Sequence, residues 1–141
     1  YILDSNLRLK GNEVLLKDGG KTTVFCKQAK NIKDLSPSVS IIEIPGNSKR
    51  VPIKNVLSFL NKEDCNNLMI EAGKEINSSF INSKLIDEFI FYIAPKILGK
   101  DKINFSDFDC SFSNIGTIQL QTNDIEEIGK DFKVTATPIY N

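Results

Sequence analysis

An α/β three-layer sandwich, with a mixed sheet ending in an antiparallel hairpin, is the fold class this 141-residue sequence predicts. Three observations carry it. Short runs of β-forming residues alternate with two stretches of helical periodicity, the order expected when helices cross between parallel strands. The run "DEFIFYIAP", residues 87–95, is nearly continuously apolar, as a central strand covered on both faces requires. The last stretch, "GTIQLQTNDIEEIGKDFKVTATPIY", instead alternates apolar and polar residues around a Gly129-Lys130-Asp131 turn, the pattern of a long hairpin.

The elements follow in order. "YILD" is a short strand that leaves through Asp4-Ser5-Asn6. A weak apolar patch and a Gly19-Gly20 turn precede a strand from Thr22 to Cys26, rich in β-formers. The next strand, Val39 to Ile44, is stopped by Pro45-Gly46. Ile53, Val56, Leu57 and Leu60 recur at i, i+3, i+4 and i+7, marking one face of a helix. Asn67 to Ile70 reads as a buried strand that turns through Ala72-Gly73 into a second helix, about Lys74 to Ser83, with an apolar stripe of Ile76, Phe80 and Ile81. "KILGKDKINFSDFDCSFSN" is an irregular, aromatic-bearing loop.

Composition narrows the function classes. The length fits one compact domain, and 40% hydrophobic with 26% charged residues is an ordinary globular balance. Eighteen basic and eighteen acidic side chains cancel, with no basic stripe, so neither nucleic acid nor an anionic membrane is an expected partner. The longest apolar run is far too short to span a bilayer. Cys26, Cys65 and Cys110 are odd in number and widely separated, which predicts no disulfide framework and no zinc knuckle. Cys26 and Cys65 read as small buried hydrophobes, consistent with a reducing, cytoplasmic setting. Histidine is absent, removing Ser-His and Cys-His nucleophiles and imidazole-based metal sites together. The opening "YILDS" begins mid-strand without Met, which suggests a fragment of a longer polypeptide.

The strongest local signal is the corner at Glu71. Ligands of open α/β sheets bind beyond the carboxyl ends of parallel strands, where helix N-termini point. The amides of Gly73, Lys74, Glu75 and Ile76 are the first-turn donors there and suit a phosphate or pyrophosphate, and Gly73 permits close approach to the backbone. Glu71 either accepts hydrogen bonds from ribose hydroxyls or an amine, or merely caps its own helix, worth on the order of 1 kcal/mol. Glu75 adds a second negative charge that Lys74 only partly offsets. Neither G-x-G-x-x-G nor G-x-x-x-x-G-K-[ST] occurs, which excludes a Rossmann fingerprint and a P-loop. The Ser5 hydroxyl sits at a strand's carboxyl end, within reach of a cofactor or simply in a Ser turn. Asp87-Glu88 reads as a solvated strand entry, Lys96 as a snorkelling lysine or a phosphate contact, and Asp124, Glu126 and Glu127 as an exposed hairpin face.

The stretch "LMIEAGKEINSSFINSKLIDEFIFYIAPKILGKD" strongly resembles the reductase domain of the bifunctional riboflavin-biosynthesis deaminase/reductases, and "YILDSNLRL" resembles that family's strand entering an Asp-Ser turn. The order of elements matches over nearly the whole chain, while the specific signature is confined to Leu68–Asp101. The resemblance implies a dihydrofolate-reductase-like fold, an NADPH-dependent reduction of a phosphoribosylaminopyrimidine by the parent protein with the isolated fragment inactive, and a homodimer; the alternatives are a non-catalytic folding and dimerisation module or a related pteridine-type reductase on the same fold. It implies that Glu71 contacts substrate, and that Ser5 and the segment Gly73, Lys74, Glu75, Ile76, Asn77, Ser78 and Ser79 contact NADPH. Lys74 stands where that family usually has proline, Glu75 where threonine is usual, and Ser78 where glycine is frequent. The family's zinc deaminase half needs H-x-E and P-C-x-x-C signatures, which a chain without histidine does not carry. The chain therefore reads as the C-terminal portion of the reductase domain, with the deaminase domain as its partner in the parent polypeptide, no metal of its own and no assignable catalytic residue.

Overall fold

The computed structural model describes residues 1–17, 19–30, 32, 35–100, 104–107 and 117–140. It divides into two compact units, Tyr1–Leu68 and Met69–Asn141.

The first unit is a parallel sheet of β1 (Ile2–Leu3), β2 (Thr22–Cys26) and β3 (Val39–Glu43), with β2 in the middle. Register runs Ile2 to Val24 on one side of β2 and Val24 to Ile41 on the other. The β-branched and aromatic run of β2 explains its central place, since both of its faces are buried. Val24 and Cys26 join Leu7, Leu16 and Val39 in one core cluster, while Phe25 joins Ile44, Val51, Val56 and Leu60 in another. The expectation that helices make the crossovers is corrected here. Among the described residues β1 reaches β2 through a 3-10 turn, Val14–Leu16, and β2 reaches β3 without a helix. Leu16, 1% exposed, is the residue of that turn that packs into the first core cluster, while Val14 and Leu15 stand exposed.

Helix α1, Ile53–Lys62, supplies the lid on the second cluster through Val56 and Leu60, the positions its 3.6-residue period places inward. Phe59 meets Phe25 edge-on with ring centroids 5.4 Å apart. The helix stops by a Schellman closure, in which the Cys65 amide donates to Leu60 O at 3.0 Å and the Asp64 amide to Asn61 O at 3.3 Å. Asp64 stands at φ 56°, a left-handed conformation that costs a non-glycine residue strain.

The second unit contains α2, Lys74–Asn82, and an antiparallel sheet of β4 (Phe89–Ile93), β6 (Asp131–Ile139) and β5 (Gln119–Ile128), with β6 in the middle. The hairpin falls where the alternation placed it, turning at Gly129 with φ 64°. α2 ends by the same closure as α1, the Leu85 amide donating to Phe80 O at 3.2 Å. Phe80 and Ile81 are its buried apolar face.

Two further expectations are corrected. "FIFYI" is not a central strand: β4 pairs only with β6 among the described residues, and Ile90, Tyr92 and Ile93 are 43, 64 and 50% exposed. Among the described residues its continuous apolarity is not matched by two covered faces. Asn67–Ile70 is extended but joins no ladder, because no neighbouring strand among the described residues supplies one. Only Leu68 of that run packs into a core cluster, while Met69 stands 69% exposed. Cys26 is buried as expected, Cys65 only half-buried, and Cys110 lies outside the described residues.

Candidate active site

The corner is built by α2 and the chain entering it. Gly73 is the N-cap residue at φ −81° and ψ 174°, an extended conformation open to any residue, and a Cβ added there would meet nothing within 4 Å. Glycine is therefore not required by the fold at this place. What it leaves is an unobstructed path to the main chain. Ile76 and Asn77 both donate their amides to Gly73 O at 3.1 Å, so the Ile76 amide is engaged within the helix and is not an open donor. Among the described residues the amides of Gly73 and Lys74 have no acceptor. They lie at the positive end of the helix, as the first-turn reading expects. Glu71 is exposed two residues before the N-cap, and Glu75 is exposed in the first turn.

A short strap, residues 104–107, lies against this helix and was not legible as part of the site. Lys74 Nζ is 2.6 Å from Asp107 Oδ2. That contact pushes the Lys74 ammonium above its usual range and holds the Asp107 carboxyl below its own. The Asp107 amide donates to Ser78 Oγ at 2.8 Å, and Asn77 Nδ2 donates to Phe105 O at 3.1 Å. Ser78 Oγ donates in turn to Lys74 O at 2.6 Å, and Ser79 Oγ to Glu75 O at 2.8 Å. The side chains of Lys74, Asn77, Ser78 and Ser79 are thus committed to holding the helix and the strap. What faces outward from the corner is the Glu71 carboxylate and the Gly73–Lys74 main chain. No sequence signal marks Asp107, whose partners on α2 lie 29 and more residues away in the chain.

Ser5 belongs to the first unit. It lies in a turn closed by the Leu7 amide on Asp4 O at 2.9 Å; its Oγ accepts the Val51 amide at 3.0 Å and its carbonyl the Lys27 amide at 3.1 Å, so the turn also ties in two distant segments. The hydroxyl proton remains available to a further acceptor. Next to it, buried Asp4 takes the Arg8 and Leu9 amides at 2.5 and 3.0 Å, while Glu13 takes those of Lys10 and Gly11 at 2.8 and 2.9 Å. Those backbone donors hold the Glu13 carboxyl below its usual range. The two carboxylates border an open recess of about 340 Å³ but are already satisfied by main-chain donors.

Of the remaining candidates, Asp87 and Glu88 are exposed ahead of β4, and Lys96 is exposed beyond it. Asp124, Glu126 and Glu127 are exposed, as is all of β5, with adjacent Glu126 and Glu127 on opposite faces of the strand; Glu126 meets Lys133 at 3.4 Å. Among the described residues no group of His, Cys, Asp or Glu is arranged to hold a metal ion, and no helix is long and apolar enough to cross a membrane.

The profile of the RibD C-terminal domain matches residues 1–134. The chain belongs to the RibD C-terminal domain family. It is 32% identical over 139 residues to the 5-amino-6-(5-phosphoribosylamino)uracil reductase of Buchnera aphidicola subsp. Acyrthosiphon pisum, covering 97% of this chain and 66% of that protein. It is 30% identical over 141 residues to the riboflavin biosynthesis protein RibD of Haemophilus influenzae, covering 97% of this chain and 36% of that one. The chain thus spans about a third of the RibD relatives it matches. In structure it superposes on Acinetobacter baumannii RibD with a TM-score of 0.79 at 26% identity, over 96% of this chain and 36% of that one. The Saccharomyces riboflavin biosynthesis reductase Rib7 shares the fold at a TM-score of 0.72 and 21% identity. The α/β, dihydrofolate-reductase-like class read from the sequence stands. Within this RibD C-terminal domain chain, the signature segment Leu68–Asp101 contains the corner, α2 and β4.

Proposed function

We propose that this chain forms part of the catalytic cleft of an NADPH-dependent reductase of riboflavin biosynthesis. The parent protein would reduce the ribose unit of 5-amino-6-(5-phosphoribosylamino)uracil to a ribityl chain. The observation that carries the reading is the family match joined to the open corner: an unobstructed Gly73, two first-turn amides without acceptors, and an outward carboxylate two residues before them.

The residues present fit a dinucleotide through the main chain. The Gly73 and Lys74 amides hold a phosphate oxygen with charge-assisted bonds and assistance from the helix dipole. The Lys74 side chain, paired with Asp107, contributes little net charge, so main-chain geometry sets the contact. Glu71 would accept from substrate hydroxyls, orienting the sugar carbon to be reduced. NADPH, when bound, supplies the hydride. The protein's contribution is placement of the two reactants and exclusion of alternatives, an effect worth several powers of ten where the geometry is held. A deaminase domain in the parent chain, a homodimer and a cytoplasmic setting belong to the same reading.

The test is a fluorescence titration of NADPH into the purified chain, followed by turnover of the pyrimidine by the full polypeptide. Saturable binding and NADPH oxidation coupled to substrate support the reading. A folded chain with neither refutes it. A second reading, a non-catalytic folding and dimerisation module, is favoured by one observation: apolar β4 pairs on one side alone among the described residues, with Ile90, Tyr92 and Ile93 exposed. A folded dimer that binds no NADPH selects it.

A further inference from the structure

We infer that Asn77 is a positioning residue, whose side-chain amide pins the Ala72 carbonyl of the corner to the Phe105 carbonyl of the strap and so fixes how Glu71 and the first-turn amides face a ligand. The inference rests on the corner being the ligand site.

The Asn77 Nδ2 nitrogen has two protons, and each has a carbonyl at 3.1 Å, one from Ala72 and one from Phe105. The backbone bonds of α2 begin at Gly73 O, which takes both the Ile76 and Asn77 amides. The Ala72 carbonyl lies one residue ahead of that ladder, and the Asn77 side chain satisfies it from within the helix. The far end of the pin is anchored in its turn. The Phe105 ring meets Phe89 and Phe91 of β4 at centroid distances of 6.3 and 5.9 Å. One continuous set of contacts therefore runs from β4, through Phe105 and Asn77, to the residue between Glu71 and Gly73. Lys74 and Ser78, an i,i+4 pair on one face of the same helix, secure the strap through Asp107. With both protons engaged, the Asn77 nitrogen acts on a ligand only through the backbone it holds.

The test compares Asn77→Asp, which keeps the shape but turns an acceptor toward two carbonyls, with the milder Asn77→Ser, in the full polypeptide. Hydrogen exchange read by mass spectrometry should accelerate about tenfold or more in Asn77→Asp at the amides of residues 72–76 and 104–107, and less in Asn77→Ser, leaving the β5–β6 hairpin unchanged. KM for NADPH should rise by a similar factor with kcat within about twofold. Unchanged exchange at the corner in both folded variants overturns the inference, as does a fall in kcat at unchanged KM. If the unmodified protein binds no NADPH, the functional reading fails, and the exchange arm still decides whether Asn77 holds the corner.

Discussion

Replacing Ser5 by alanine separates the architectural work of this hydroxyl from contact with a ligand. In the structure Ser5 Oγ accepts the Val51 amide at 3.0 Å across 46 residues of chain, and Val51 is 4% exposed. Alanine leaves that amide without an acceptor in a place water hardly reaches. A buried, unsatisfied donor costs about 1–3 kcal/mol, so the folding equilibrium should shift roughly five- to 150-fold. Urea unfolding by far-UV circular dichroism reads the global effect, and hydrogen exchange at the Val51 amide reads the local one. Ser5→Thr keeps the acceptor and should remain within about 0.5 kcal/mol of the parent. An Ser5→Ala protein whose stability lies within about 0.3 kcal/mol of the parent, with Val51 protection unaltered, refutes the reasoning. In that case a loss of NADPH affinity in Ser5→Ala would make ligand contact the residue's main task.

Four shorter predictions follow. Gly73→Ala should fold with a stability change under about 1 kcal/mol, since its φ is ordinary and its Cβ meets open space, yet weaken NADPH binding by calorimetry because the methyl stands in the ligand's path. Asp64→Gly should stabilise the chain by roughly 1 kcal/mol in urea melts, relieving the left-handed conformation that closes α1. The Lys74–Asp107 tie has a pH window. Asp107 titrates below its ordinary 3.8, so its stabilising contribution is present above that value and disappears as pH falls through the lowered one. Lys74 titrates above its ordinary 10.5, so its contribution is present below that value and is lost as pH rises through the raised one. Exchange at residues 104–107 should therefore quicken at both extremes, and also in about 1 M salt at neutral pH, where screening weakens an exposed pair. Finally, burial pushes the Cys26 thiol above its ordinary 9.0, so iodoacetamide at pH 8 should label Cys65 well before Cys26, as peptide mapping will show.

The parts of the fold that were legible in the sequence are those whose cause is local. β2, α1, α2 and the hairpin each show their own period, and their bounds fall within a few residues of the apolar pattern. Apolarity alone did not reveal how many partners a strand has. "TTVFC" and "FIFYI" look equally buried as text, yet the first is central with both faces covered while the second is an edge. The corner was legible because Glu71, Gly73 and the start of α2 are neighbours in the chain. The strap was not, because Asn77–Phe105 and Lys74–Asp107 join residues whose proximity is decided only by the packing of Phe105 on β4.

That difference changes the chemistry assigned to the corner. As a string, Lys74, Asn77, Ser78 and Ser79 offer a cation, an amide and two hydroxyls to a phosphate. In the fold all four side chains are held by carbonyls, by the Asp107 carboxylate or by its amide. A site that recognises its ligand through main-chain amides tolerates side-chain change at those positions provided the backbone stays in place. Lysine at position 74 then adds a main-chain donor that the proline usual there in the family lacks, and glutamate at position 75 leaves the main-chain donors of the first turn unchanged. Binding energy at such a site depends on how rigidly the amides are aimed. Under the proposed reading, the residues that aim them, Asn77 above all, would carry more of the function than those whose side chains look chemically suited to it.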